Sequence, residues 1–176
     1  MDLRADNEPV SNEEDSFASG NKIIASGNAN TFEIIHYKIE YSQSNMSNYT
    51  MAREALISVM NAFINDPDYA LYFHCRIGAD RTGTLAYLLE GLLGVSEEDR
   101  YRDYEMTVFF GLDERTRFYY NKGSNTNKFV YMKQAIRDAS LDGTEDVLEW
   151  FLKGSSNRTS DIALVNSFRD ALINKN

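Results

Sequence analysis

A single cysteine, Cys75, stands in the 176 residues. One thiol excludes an internal disulfide framework and suits a reducing compartment, so a cytoplasmic location is expected. Only two histidines are present, and no grouping of His, Cys and Asp has ligand spacing, so neither a metal nor another cofactor is expected. No run is long and apolar enough to span a membrane, and no signal peptide is visible. Positive charge is scarce: 18 Lys and Arg against 27 Asp and Glu leave a net −9. That balance argues against nucleic acid or an anionic membrane as a partner. No internal repeat occurs. The 43% hydrophobic and 12% aromatic content is ordinary globular composition, and the length suits one domain with a real core.

Residues 70–94 organise the rest: ALYFHCRIGADRTGTLAYLLEGLLG. A short apolar run, residues 70–73, leads into His74-Cys75. Five residues later comes Arg81, and Thr82-Gly83 open a stretch with Leu85, Leu88, Leu89, Leu92 and Leu93 at helical period. Gly94 supplies a left-handed stop. The spacing predicts strand, tight loop and helix N-terminus, a loop able to hold an anion over several backbone N–H groups.

Cys75 reacts well only as a thiolate. A helix N-terminus, converging amides and a guanidinium all favour the charged sulfur. Arg81 is placed to bind two phosphate oxygens bidentately and to hold a trigonal-bipyramidal phosphorus species more tightly than the ground state. Thr82 is placed to donate its hydroxyl to the sulfur as that sulfur departs. The competing reading is a buried structural cysteine at the end of a core strand, the usual fate of a lone cysteine. Composition disfavours it. A cysteine with His before it and Arg six residues after arises by chance on the order of one time in a thousand, before Gly78, Thr82 and Gly83 are counted.

The string His74-Cys75-x5-Arg81-Thr82-Gly83 resembles the phosphate loop of the cysteine-dependent protein tyrosine phosphatases. In full, HCRIGADRTG is similar to the bacterial tyrosine and dual-specificity branch whose loop reads HCxxGxDRTG. Residues 103–107, DYEMT, resemble that branch's DYxLT, Met1-Asp2-Leu3-Arg4 its DLR strand, and residues 143–152 and 168–173 its closing helices. The resemblance implies an α/β domain with a central, mostly parallel sheet flanked by helices and a helix-rich C-terminal half. It implies one phosphatase domain over residues 1–176 lacking its N-terminal element, because the DLR strand would begin at the first residue. Asp2 and Arg4 are candidates to buttress the loop, a type of strand-end residue that is more often structural.

Along the chain, residues 6–30 are polar and acidic and read as a long loop. Ile35, Tyr37, Ile39 and Tyr41 alternate with His36, Lys38 and Glu40 as a strand with one buried face, His36 on the polar side. Residues 49–65 have the clearest helical pattern, with Ala52, Ala55, Leu56, Val59, Met60, Phe63 and Ile64 on one stripe. Asp66-Pro67-Asp68 turns the chain into the apolar run. Strand, helix, strand, helix again points to a parallel α/β arrangement. Ser96-Glu97-Glu98-Asp99 has the form of a capping box. Further helices carry Phe129, Met132, Ile136 and Ala139; then Val147, Leu148, Phe151 and Leu152; and, over residues 159–174 with Ser160 as cap, Leu164, Val165, Phe168 and Leu172. Aromatic-rich residues 109–120 read as core or, by the resemblance, as a lid. Residues 100–137 hold eight basic side chains against four acidic ones. That segment reads as a solvated helical face or as a surface for a phosphorylated substrate.

Phosphate monoester cleavage needs a proton for the departing oxygen. Many tyrosine phosphatases place the donor aspartate on a separate loop upstream of the cysteine, but here that window, residues 41–53, holds no carboxylate. Asp66 and Asp68 fall at the far end of the strand. In the resembled branch the loop aspartate is the proposed acid, which makes Asp80 the candidate acid and then base; alternatively it fixes Arg81 or neighbouring amides. Beside a bound dianion that acid needs a raised pKa. Relatives acting on phosphoinositides tend to carry lysine where this chain has Ala79, which disfavours a lipid substrate, although Arg76 restores some charge.

The expected function is hydrolysis of phosphotyrosine, with dual specificity open, on a protein or peptide through a phosphocysteine. Cys75 is the nucleophile, Arg81 the phosphate clamp and Asp80 the acid. His74, Arg76, Ile77, Gly78, Ala79 and Thr82 line the loop that takes phosphate or another oxyanion. The rivals are an inactive phosphate-binding interaction module and a rhodanese-like sulfurtransferase or arsenate reductase. The Arg-Thr-Gly helix start disfavours the sulfurtransferase, and the lack of a second cysteine disfavours the reductase.

Overall fold

The computed structural model describes residues 49–65, 73, 74, 78, 81–106, 121, 122, 125, 126 and 128–173, with the side chains of 49–51, 121–126 and 128–131 excepted. Six helices account for most of them. They are α1 (Tyr49–Asn65), α2 (Arg81–Leu93), α3 (Glu97–Met106), α4 (Lys128–Arg137), α5 (Val147–Lys153) and α6 (Arg158–Ile173). Between α3 and α4 lies a two-residue antiparallel ladder, β1 (Asn121–Lys122) against β2 (Asn125–Thr126), with Asn121 opposite Thr126.

This corrects the expectation of a central, mostly parallel sheet. Among the described residues the architecture is helix on helix, and the sheet is the two-stranded β1–β2 ladder. The alternating stretch read as a strand, residues 35–41, lies outside the described residues. Of the apolar run 70–73, Phe73 is described and belongs to no strand, and His74 makes an isolated bridge. A four-residue apolar run carries too little periodic signal to fix a strand. The long leucine and methionine stripes bury themselves against other helices.

The helical stripes are where the spacing placed them. On α1, Ala55, Leu56, Val59 and Met60 are fully buried; on α2, Leu85, Leu88 and Leu92. Helix α1 packs along α6 and against α2, while α2 also contacts α3 and α5. Met132 and Ile136 of α4, Trp150 and Phe151 of α5, and Val165 and Phe168 of α6 complete one core. Burying each such side chain is worth about 1.5–3 kcal/mol. The rings of Phe63 and Phe168 meet at 6.0 Å, locking α1 to α6.

The ends are capped by local chemistry. Gly94, at φ 85°, ends α2: its N–H donates to the Gly91 carbonyl at 3.1 Å, and the Val95 N–H donates to Glu90 at 2.9 Å. This pair of bonds is the Schellman arrangement, which satisfies two carbonyls the helix leaves open. A third is taken from outside, because Arg169 Nε donates to the Leu92 carbonyl at 2.6 Å. Ser96 caps α3 by accepting the Asp99 N–H at 3.2 Å, and its hydroxyl donates to the Asp99 carboxylate at 2.7 Å. Helix α6 starts one residue earlier than expected, with Asn157 as its cap in place of Ser160: the Ser160 N–H donates to Asn157 Oδ1 at 3.1 Å. Serine and asparagine cap about equally well, so composition alone does not choose between them.

One clamp ties three helices. Arg53 of α1 pairs with Asp161 of α6, donates from Nε to the Phe151 carbonyl of α5 at 3.3 Å, and lies over the Phe151 ring at 4.9 Å.

Candidate active site

Of the residues expected to form the site, His74, Gly78, Arg81 and Thr82 are described, the last two at the N-terminus of α2. Arg81 is its first residue and is only 4% exposed. Three residues earlier Gly78 turns the chain with φ 75°, a left-handed conformation that side chains resist. No carboxylate lies in the first turn of α2, whereas α3 opens with Glu97, Glu98 and Asp99. The positive end of the α2 dipole is therefore not neutralised from within its own first turn. The Thr82 Oγ1 is buried and has no hydrogen-bond partner among the described residues. A buried hydroxyl in that state retains a donor for another group. His74 is half-buried. Cys75, Arg76, Ile77, Ala79 and Asp80 lie outside the described residues, as do Asp66, Asp68, Asp2, Arg4, His36 and residues 109–120.

Helix α3 seats directly on this turn. Gly83 is buried, and a Cβ built there would meet the Tyr104 ring at 3.3 Å from Cδ2 and 3.5 Å from Cε2. Tyr104 is itself 2% exposed. Farther along α2, a Cβ at Gly91 would fall 2.4 Å from Val147 Cγ2 and 2.9 Å from Arg100 Nη1, so that glycine admits α5 and the arginine.

Behind the helix lies a buried polar node that the sequence did not signal. The Glu145 side chain is fully buried before α5. It accepts the Tyr87 hydroxyl at 2.5 Å on one oxygen and the Tyr101 hydroxyl at 2.5 Å on the other. Arg137 reaches it at 2.7 Å and Lys133 at 3.9 Å. The Tyr87 and Tyr101 rings stack at 5.9 Å, with Arg100 over the first at 4.5 Å and Lys133 over the second at 4.3 Å. Burial, reinforced by the bond to Glu145, pushes both phenols far above their usual range, so each remains a neutral donor. Nothing in the spacing marks a lone glutamate in a turn as such a hub.

This node also decides what the basic segment does. Arg137 pairs with Glu145 and Glu97, and Arg102 with Glu98 and Asp99 at 3.3 and 3.4 Å. Arg100 is buried, donating from Nη2 to the Glu145 carbonyl at 3.4 Å. Its Nε and Nη1 and the Glu90 Oε2 have no hydrogen-bond partner among the described residues. Burial, and secondarily Asp103, hold the Glu90 carboxyl up at about 7 against the opposing pull of Arg100. Of the described cations of the segment, Arg100, Lys133 and Arg137 face the node, whereas the Arg102 side chain stays two-thirds exposed.

A family model described as tyrosine phosphatase family matches residues 1–158. No curated protein matches the chain, and no solved structure matches it. Among the described residues, no helix is long and apolar enough to cross a membrane.

Proposed function

Because the chain belongs to the tyrosine phosphatase family, we propose that it hydrolyses phosphotyrosine in a protein or peptide through a phosphocysteine, in the cytoplasm. Cys75 attacks phosphorus as a thiolate. The S–P bond forms as the P–O bond to the phenol breaks, and Asp80 gives its proton to the departing oxygen. Water then attacks the phosphocysteine, Asp80 takes a proton from it, and sulfur leaves with inorganic phosphate as the product. Arg81 and the amides of residues 76–81 hold the three equatorial oxygens, whose charge grows toward the transition state. Thr82 donates its hydroxyl to the leaving sulfur.

The observation that carries the reading is the position of Arg81. A residue that is buried at the first position of a helix, one turn of chain after the left-handed Gly78, supports the reading of Arg81 as the clamp of an anion loop. The buried Thr82 hydroxyl supports the same reading, as does a first turn without carboxylates.

The test is turnover of p-nitrophenyl and phenyl phosphate by wild type, Cys75→Ser and Asp80→Asn. Cys75→Ser is expected to abolish turnover. Asp80→Asn is expected to lose about 10²-fold or more on phenyl phosphate, the poorer leaving group, and distinctly less on p-nitrophenyl phosphate. Turnover surviving Cys75→Ser would remove the mechanism, and a wild type that binds phosphate without hydrolysing either ester would make the chain a binding module.

A further inference from the structure

The phosphatase reading leaves one motif unused, the DYEMT stretch, whose residues 103–106 lie on α3, and the packing assigns its tyrosine a task. We propose that Tyr104 is a positioning residue: its ring, wedged against the backbone of Gly83, sets how far the first turn of α2 stands from α3, and through that turn where Arg81 and Thr82 present their donors. The inference rests on the reading of Arg81 as the phosphate clamp.

Three observations converge. Gly83 follows Arg81 and Thr82 immediately in the first turn of α2, so displacing Gly83 displaces both. The Tyr104 ring lies at the limit of contact, 3.3 and 3.5 Å from where a Cβ on Gly83 would be. Glycine in that turn is otherwise unfavourable, because alanine is the better helix former; the place is explained by close approach of the ring. Tyr104 is 2% exposed and Gly83 and Arg81 are buried, so neither element can retreat into solvent. A packed interior transmits a displacement of this size instead of absorbing it.

The consequence is catalytic more than structural. A misplaced reacting or clamping group costs about 10²-fold in rate per ångström. A shift of a few tenths of an ångström at Arg81 therefore predicts a loss of several-fold to about tenfold. The loss falls on kcat more than on KM, because the bidentate grip is tightest in the transition state.

Five proteins test this: wild type, Gly83→Ala, Tyr104→Phe, Tyr104→Leu and the double variant Gly83→Ala/Tyr104→Leu. Each is assayed for kcat and KM on p-nitrophenyl phosphate, for affinity toward orthovanadate by calorimetry, and for Tm. Tyr104→Phe keeps the ring and is expected to stay within about twofold of wild type in kcat. Tyr104→Leu and Gly83→Ala are expected to lower kcat by several-fold to about tenfold and to weaken vanadate, with KM within about threefold. Gly83→Ala is the discriminating variant, because helix propensity favours it; lost activity without a lowered Tm separates positioning from folding. The double variant Gly83→Ala/Tyr104→Leu, which relieves the contact, is expected to lose less than the product of the single losses. If wild type turns over and Gly83→Ala and Tyr104→Leu match it, the positioning role is overturned and the phosphatase reading stands. A Tyr104→Phe loss equal to that of Tyr104→Leu would overturn the ring as the agent. If wild type does not turn over but binds vanadate, and Gly83→Ala and Tyr104→Leu weaken that binding, the phosphatase reading fails and the positioning of an anion clamp survives. A wild type that neither hydrolyses the ester nor binds vanadate overturns both.

Discussion

Removing the Glu145 carboxylate tests whether the buried node holds α2 in place. In Glu145→Ala, the Tyr87 and Tyr101 hydroxyls lose acceptors at 2.5 Å inside a core where both tyrosines are at most 6% exposed. Tyr101 keeps Glu97 as an acceptor, so the penalty falls on the Tyr87 hydroxyl, at about 1–3 kcal/mol for a buried group that loses its acceptor. Arg137 is 43% exposed at its side chain and can rehydrate, so it adds no more than about 1 kcal/mol. The expected loss is about 1–4 kcal/mol, the Tyr87 penalty together with the lost surface pairing. Urea denaturation followed by circular dichroism measures it as a lower midpoint with an unchanged slope. A cycle with Tyr87→Phe locates the effect. The phenylalanine costs about 1.5–3 kcal/mol when Glu145 is present, the value for a hydrogen bond to a charged group. It costs close to nothing when the acceptor is already gone. A Glu145→Ala loss below about 1 kcal/mol, or equal Tyr87→Phe costs in both backgrounds, would refute the node as a stabilising hub.

Glu90 makes stability depend on pH. Its folded pKa of about 7 lies above its ordinary 4.5, so the native state binds the extra proton between those values. Its contribution is therefore fully present below about pH 4.5 and lost as pH rises through 7. Glu90→Gln should raise stability at pH 8 by about 1–2 kcal/mol, the shift discounted by half for a half-buried group, with little change at pH 4; equal effects at both pH values would contradict this. Arg53→Lys should cost about 1–2 kcal/mol in urea, since an ammonium cannot keep the ion pair to Asp161, the Phe151 carbonyl and the ring stack together; a midpoint equal to wild type would show that the clamp is dispensable.

What was legible in the chain followed from period and from local chemistry. The α1 stripe from Ala52 to Ile64 fixed a helix to its ends, Gly94 marked a C-terminus, and Ser96 marked a cap, because each signal acts within a few residues. Arg81 was found by its distance from Cys75 and stands at the head of α2. The sheet was misjudged for the opposite reason. Strand pairing is set by partners distant in sequence, and neither a four-residue apolar run nor the resemblance determines which elements the described core is made of. Glu145 and Arg100 act across helices, through contacts between residues 44 to 58 apart at the node, and Tyr104 meets Gly83 of another helix. Such pairings leave no periodic trace; Gly83 and Gly91 inside α2 are where the close approaches fall.

The central claim is a covalent bond between phosphorus and the sulfur of Cys75. Asp80→Asn protein is mixed with p-nitrophenyl phosphate, quenched in acid within its first turnovers, digested and weighed by mass spectrometry. The account predicts the peptide carrying Cys75 heavier by one PO3H, a species absent from Cys75→Ser. Hydrolysis of the ester by wild type with no such adduct on Cys75, or with the phosphoryl group on another residue, would contradict it.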